Sequence, residues 1–143
     1  MSRLVPVLLV AFFIGCSASP TAPTTTRSLD GVWSGTVVRA GASGTLRLEL
    51  QTVSLGTAMG ATGRYELVDA SGATSGDVAG GFVGALATLT LTPSAPPACP
   101  GASTPAAGQV SLVLTLDGNR LGGEAAFSRC GLIETGSVTL TRP

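Results

Sequence analysis

From residue 31 onward the chain alternates apolar and polar residues, and this period of two constrains its fold more than any other feature. In the stretch 45–53, Leu46, Leu48 and Leu50 alternate with charged or amide side chains. Successive side chains of a β-strand point to opposite faces, so this pattern indicates a half-buried strand. Because no window shows the 3.6-residue period of an amphipathic helix, the sequence predicts an all-β domain.

The same test predicts eight strands, separated by short clusters of Gly, Ser, Asp and Pro. Asp117-Gly118-Asn119 is the sharpest turn signal, because Gly and Asn tolerate a positive φ. Eight antiparallel strands joined by short turns most simply close into an up-and-down (meander) β-barrel, which removes exposed sheet edges. The predicted strands are 31–39, 45–53, 58–69, 75–82, 84–92, 109–116, 120–128 and 135–142.

We call the assignment of alternate side chains to the inner and outer faces the strand parity. The positions of the charged residues support it. If the leucine-bearing face is inside, the charged residues of the strand bodies point outward, as the cost of burying a charge requires. The outward face is then rich in Thr, the inverse of an integral outer-membrane barrel, so a barrel surrounded by water is expected. The predicted inward residues are Trp33, Val37, Leu46, Leu48, Leu50, Met59, Tyr65, Leu67, Val78, Phe82, Leu89, Leu91, Val110, Leu112, Leu114, Leu116, Leu121, Phe127, Val138 and Leu140.

The small inward residues are compatible with two kinds of barrel interior. An eight-stranded barrel is either filled by its own side chains or holds one small ligand. Small residues would open a cavity, or they would let strongly curved strands approach each other, and the many inward leucines favour a packed core. The small inward positions are Gly35, Ala61, Gly63, Ala85, Ala87, Gly123 and Ala125.

The first residues are typical of a secretory signal peptide, because one Arg is followed by an apolar run too short to span a bilayer. Phe13-Ile14-Gly15-Cys16 resembles a bacterial lipobox. The resemblance implies cleavage before Cys16, acylation of that cysteine and, with Ser17 next, an outer-membrane address. Ordinary signal cleavage after Ala18 is the alternative.

The domain plan follows from this leader and from a change in composition. Residues 17–28 contain Pro and Thr but no apolar side chain larger than Ala, so they cannot bury a core. The sequence predicts a lipoprotein signal peptide over 1–15, a lipidated cysteine and Pro/Thr-rich tether over 16–29, and a barrel domain over 30–143. Several acyl chains on one cysteine would anchor the protein stably to the outer membrane of a bacterial cell envelope, on its periplasmic side or at the surface.

Once Cys16 is assigned to the lipid, Cys99 and Cys130 remain, and in an oxidising compartment they predict one disulfide. In a meander barrel the loops after strands five and seven lie at the same end, which allows this pairing. The chain has no His and neither cysteine belongs to a CxxC motif, so no metal, cofactor or thiol active site is predicted.

Gly31-Val32-Trp33 opens the first strand and Arg142 follows the last, both at the same end of the predicted barrel. These residues resemble the lipocalins and related calycins, whose first strand carries G-x-W and whose last strand supplies an Arg or Lys across that Trp. The repeated small residues are similar to those of short Gly/Thr-rich barrels of bacterial lipoproteins. The resemblance implies a lipocalin-like binding barrel. A structural closure by Trp33 and Arg142 is favoured over a ligand contact.

At the opposite end, strand parity places Arg39, Asp69, Arg129 and Glu134 on the inward face. One hypothesis is that these four residues form a polar ligand mouth around an apolar pocket. The alternative is a set of solvated strand ends, with an ion pair between Arg39 and Glu134 on the neighbouring first and last strands.

The charge pattern narrows the function classes. Eight acidic residues balance eight basic ones, all of them Arg, and no basic patch indicates nucleic-acid binding. The absence of His, Lys, GxSxG and a phosphate-binding loop argues against an enzyme. The sequence therefore predicts a lipid-anchored envelope module that binds a small apolar or amphipathic molecule. The alternative is a ligand-free envelope protein that acts as an inhibitor or assembly partner through its Pro-rich loop 93–107.

Overall fold

The structure is a computed structural model that describes residues 27–55, 58–96, 98–101 and 108–143. The strands follow chain order, each pairs antiparallel with the next, and β8 pairs with β1 to close the sheet. The predicted eight-stranded meander barrel is confirmed, while the predicted leader and Cys16 lie outside the described residues. The strands are β1 (Gly31–Arg39), β2 (Ala42–Leu55), β3 (Ala58–Asp69), β4 (Gly72–Val83), β5 (Leu86–Pro93), β6 (Gln109–Asp117), β7 (Arg120–Arg129) and β8 (Leu132–Thr141).

The hairpins at one end of the barrel are tighter than the sequence predicts. Strands β2, β4 and β8 each begin three residues earlier than expected, at residues 42, 72 and 132 instead of 45, 75 and 135. The turns 40–41 and 130–131 have a positive φ at both residues. That conformation matches the twist of the flanking strands, so two residues are enough to reverse the chain.

The strand pairing is strongly staggered around the barrel. A line of paired residues that starts at Gly31 in β1 passes through Leu50, Gly63 and the following strands and reaches Glu134 in β8. Gly31 lies at one end of the barrel and Glu134 near the other. This stagger goes with the strand tilt that eight strands need in order to close.

The interior is a core of apolar side chains. Every predicted inward residue belongs to it except Met59 and Val110, which are partly buried and pack against it. Leu29 is also fully buried, although the sequence places it at the end of the tether. The folded domain therefore starts before residue 30.

The inward glycines allow close approach between strands. A Cβ added to Gly35 would collide with the carbonyl oxygen of Thr139, and one added to Gly63 would collide with that of Glu49. A side chain at either position would push neighbouring strands apart, so glycine is required for the curvature found here. At these positions the small residues serve strand approach and do not widen a cavity.

Candidate functional site

The two ends of the barrel differ in what covers them. We call one the closed end; it carries residues 28–30, the turns 84–85 and 118–119, and the chain after β8. We call the other the mouth; it carries the turns 40–41, 70–71 and 130–131 and the chain between β5 and β6. Each sequence-predicted site residue in the described part of the chain lies at one of these ends.

At the closed end, residues 28–30 form a strap across the barrel. The strap buries Leu29 beside Trp33, and both side chains are fully inaccessible to solvent. The indole N–H of Trp33 donates a hydrogen bond to the carbonyl oxygen of Leu29 over 2.8 Å. A buried tryptophan needs such a partner, so the strap satisfies the polar atom of the ring as well as covering it.

Arg142 holds this strap in place. Its guanidinium carbon lies 4.8 Å from the centroid of the Trp33 ring. Its Nη1 donates to the carbonyl oxygens of Asp30 (2.8 Å) and Ser28 (3.5 Å), and its Nη2 donates to Oδ1 of Asn119 (3.4 Å). The structure thus brings Trp33 and Arg142 together, and the cation is occupied by protein groups.

The strap is also fixed to β2 through the Asp30 carboxylate. Ser28 Oγ donates to Asp30 Oδ2 over 2.6 Å, and the backbone N–H of Thr52 donates to Oδ1. These hydrogen bonds, that of Ser28 above all, hold the pKa of Asp30 below its usual value. A three-residue strap has no periodicity, which is why sequence analysis missed its part in the core.

At the mouth, Arg39 points inward and contacts three side chains. Its Nη2 lies 2.5 Å from Asp69 Oδ2, its Nη1 lies 3.9 Å from Glu134 Oε2, and its guanidinium carbon lies 4.8 Å from the centroid of the Phe127 ring. The close pair with Asp69 joins strands that are not neighbours in the sheet. The pair with Glu134, the alternative suggested by sequence, is present but longer.

Asp69 is the fixed anion of the mouth. Its Oδ1 accepts hydrogen bonds from the Ser71 hydroxyl (2.5 Å) and the Ser71 backbone N–H (2.8 Å). The Ser71 hydroxyl does most to lower the pKa of Asp69; the Ser71 N–H and Arg39 also lower it, and partial burial opposes them. Arg39 is therefore held by a carboxylate that is itself held by a turn.

Arg129 stands apart from this network. It lies at the same rim and is exposed, yet it forms no ion pair with any residue that the structure describes. Of the four predicted mouth residues, three are joined through Arg39, and Arg129 remains an uncompensated cation beside them.

Three small pockets meet at the mouth, and Arg39 and Phe127 line each of them. Their volumes are about 140, 310 and 120 Å³. The smallest reaches Tyr65 and Leu67 and has Arg129 on its wall. Burial raises the pKa of the Tyr65 hydroxyl, so this group stays protonated at neutral pH. The sequence predicts Tyr65 as a core residue, as its burial confirms. No pattern in the sequence indicates that Tyr65 also lines this pocket.

The predicted disulfide between Cys99 and Cys130 is confirmed. Their Cα atoms lie 5.5 Å apart, and 31 positions separate them in sequence. On the loop-entropy model a bridge of this span stabilises the fold by about 3–4 kcal/mol. It ties the chain between β5 and β6 to the turn before β8. The first residue of β8, Leu132, is 72% exposed.

Comparison with known protein families, curated proteins and solved structures found no match. In the part of the chain that the structure describes, no apolar helix is long enough to span a membrane. Among the same residues, no three His, Cys, Asp or Glu side chains are grouped so that they could hold a metal ion. The barrel and the geometry of its mouth are therefore the basis for a functional proposal.

Proposed function

We propose that this protein is a lipid-anchored binding module of the bacterial cell envelope, which acts without catalysis and takes a small amphipathic anion at its mouth. The observation that carries the proposal is Arg129, a cation without an ion-pair partner among the described residues, on the wall of a pocket that reaches Tyr65 and Leu67. An apolar pocket with a few polar groups at its rim is the usual form of a small-molecule site.

The charges at the rim support an anionic ligand. Arg39 is committed to Asp69, but its contact with Glu134 is long, and the Glu134 side chain is 53% exposed. Exposed ion pairs contribute little free energy, so a ligand carboxylate or phosphate can replace Glu134 beside Arg39. The same group would then lie near Arg129, between two cations.

The volume of the pocket limits the size of the apolar part of the ligand. Drug-sized molecules occupy about 300–1,000 Å³, whereas the pocket lined by Tyr65, Leu67 and Arg129 measures about 120 Å³. Below it, leucines such as Leu48 and Leu112 are fully buried. A short chain or a single ring fits this geometry better than a long acyl chain.

The test is calorimetric titration of the protein with octanoate, compared with octanol. Octanoate should bind, and octanol should bind more weakly because it brings no charge. We expect Arg129→Gln to weaken octanoate at least about tenfold, the size of one charge-assisted hydrogen bond. Arg120→Gln, which removes an exposed cation at the closed end, is the matched control and should change nothing. No binding, or equal binding by Arg129→Gln, would rule the proposal out.

The anchor is tested separately by labelling cells with radioactive palmitate. The wild-type protein should incorporate the label, and Cys16→Ser should not. Label that persists in Cys16→Ser would show that Cys16 is not the lipid site.

A protein-interaction module is the second candidate. Leu132 lines a mouth pocket together with Pro100 and is 72% exposed, and the next residue, Ile133, is 73% exposed. Exposed apolar residues at one rim are typical of a protein contact. A photo-crosslinker at position 133 that yields one discrete adduct in cells, when position 113 yields none and octanoate does not bind, would favour this function.

A further inference from the structure

An apolar hairpin tip projects from the closed end of the barrel. It consists of residues 83–86, between β4 and β5, and contains no polar side chain. Val83 is 84% exposed and Leu86 is 51% exposed, and the two are paired across the turn. Val53, at the same end of β2, is 40% exposed. Adjacent apolar side chains exposed together are a feature of surfaces that contact a protein or a membrane.

The tip is held in a defined conformation. Gly84 takes the positive φ that the tight turn requires, and the backbone N–H of Leu116 donates to the carbonyl oxygen of Ala85 over 2.7 Å. The hairpin therefore presents Val83 and Leu86 on a fixed support, so no new ordering of the backbone is needed when a partner covers them.

The tip and the N-terminal chain leave the same end of the barrel from different sides. The strap enters β1, which pairs with β8 and β2, whereas the tip joins β4 and β5 on the other side of the closed sheet. The residues before the strap lead back to Cys16 and the apolar leader. The chain that leads to Cys16 therefore leaves the barrel at the end that carries the tip.

We propose that the closed end is a membrane-contact surface and that the tip 83–86 enters the boundary between the headgroups and the acyl chains of the bilayer that carries the anchor. This rests on the anchor in the proposed function but not on the ligand at the mouth. Tethering makes the second contact intramolecular, so two apolar side chains suffice where they would not bind a free protein. Arg27 and Arg120 are exposed at the same end and can pair with lipid phosphates. Asp117 lies opposite Arg120 in the pairing of β6 with β7.

The orientation has a consequence for the mouth. Because the mouth and the closed end are opposite ends of one barrel, contact through the tip would hold Arg39 and Arg129 away from the lipid surface. The ligand would then be taken from the aqueous phase and not from the bilayer.

The experiment uses the chain from Cys16 onward, which contains every residue of the barrel, coupled through Cys16 to a maleimide lipid. The vesicles contain phosphatidylethanolamine and phosphatidylglycerol with brominated acyl chains, which quench tryptophan fluorescence. Val83→Trp is compared with Leu132→Trp, a similarly exposed position at the mouth. Trp33 is fully buried and gives the same background in both.

We expect the brominated lipid to reduce the added emission of Val83→Trp at least twofold and to leave that of Leu132→Trp unchanged. Leu86→Asp in the Val83→Trp background should restore the emission. Equal quenching at both positions, or none at position 83, would overturn the proposal. The chemical coupling separates this result from acylation in the cell, which palmitate labelling tests, and from octanoate binding, which tests the mouth.

Discussion

The two ends of the barrel each place an arginine over a buried aromatic ring, at the same distance of 4.8 Å, and use the pair differently. At the closed end, the donors of Arg142 are taken up by two backbone carbonyls and an amide. At the mouth, the donors of Arg39 face the carboxylates of Asp69 and Glu134. The partners of the cation differ, and the cation–aromatic contact does not.

This difference separates a fixed end from an adjustable one. Backbone carbonyls neither titrate nor turn away, and the strap that supplies them also covers Trp33. An exposed carboxylate such as Glu134 can turn into solvent at small cost. The arginine–aromatic pair therefore closes the barrel at one end. At the other end it leaves the arginine able to exchange Glu134 for another anion.

The largest expected effect comes from removing the ring at the closed end. Trp33→Ala should lower the free energy of unfolding by about 3–5 kcal/mol, the usual cost of emptying a large buried site. Phe127→Ala should cost less, because Phe127 borders the mouth pockets and water can enter there. Urea unfolding followed by circular dichroism, with the disulfide intact, measures both. Equal losses would contradict the distinction between the two ends.

A smaller effect is expected from the two cations. Arg142→Met should cost about 1–2 kcal/mol, because the contact with Trp33 and the hydrogen bonds to the strap are lost together. Arg39→Met should cost under about 1 kcal/mol, because an ion pair near solvent contributes little and Asp69 keeps its bonds to Ser71. Met keeps the apolar stem in both variants. The reverse order of these two costs would show that the mouth is the more rigid end.

The smallest expected effects are changes in how the stability of the fold depends on pH and on salt concentration. The folded-state pKa values of Asp30 and Asp69 both lie below the ordinary value. Their contribution is present above the unfolded pKa of about 3.9 and is lost as the pH falls through the folded pKa. Asp30→Asn and Asp69→Asn should therefore each weaken the acid dependence of unfolding.

Salt distinguishes the two carboxylates. Hydrogen bonds from serine do most to lower the pKa of both groups, but Asp69 also forms an ion pair with Arg39. Asp30 forms no ion pair among the described residues, and the charge of Arg142 is the weakest contribution to its low pKa. Asp69→Asn should reduce the effect of salt on stability by under about 1 kcal/mol, and Asp30→Asn should reduce it by less, because Asp30 interacts only weakly with the charge of Arg142. Unfolding at pH 3–7 in low and high salt measures this, and an equal salt effect in both variants would contradict it.

Strand parity and the disulfide followed from sequence because each has a strong physical signal. Alternation as regular as that around Leu48 has only one burial pattern, since a shift by one residue would put the charges inside. The strand count then places Cys99 and Cys130 at the same end. The early starts of β2, β4 and β8 were missed because their first residues are mostly small or exposed and lack contrast.

The candidate site was predictable only in part. Strand parity places Arg39 and Asp69 at the mouth. The strand order, however, predicts contacts only between adjacent strands, whereas these two side chains belong to β1 and β3 and meet across the barrel interior. Leu29 was missed for a related reason, because its burial comes from a tertiary contact with Trp33 and not from a strand. Contacts between elements that are distant in the sheet leave no periodic trace in the sequence.

The order of the strands also has a consequence for the time course of folding. Seven of the eight pairings join consecutive strands, and only the pairing of β1 with β8, as at Gly35 and Leu140, spans nearly the whole domain. Pairings of distant segments carry the largest loop-closure cost, so we expect this seam to form last. Arg142 reaches back to residues 28–30 beside that seam. Until β8 (Leu132–Thr141) pairs with β1, the chain is therefore expected to form an open sheet with two unpaired edges.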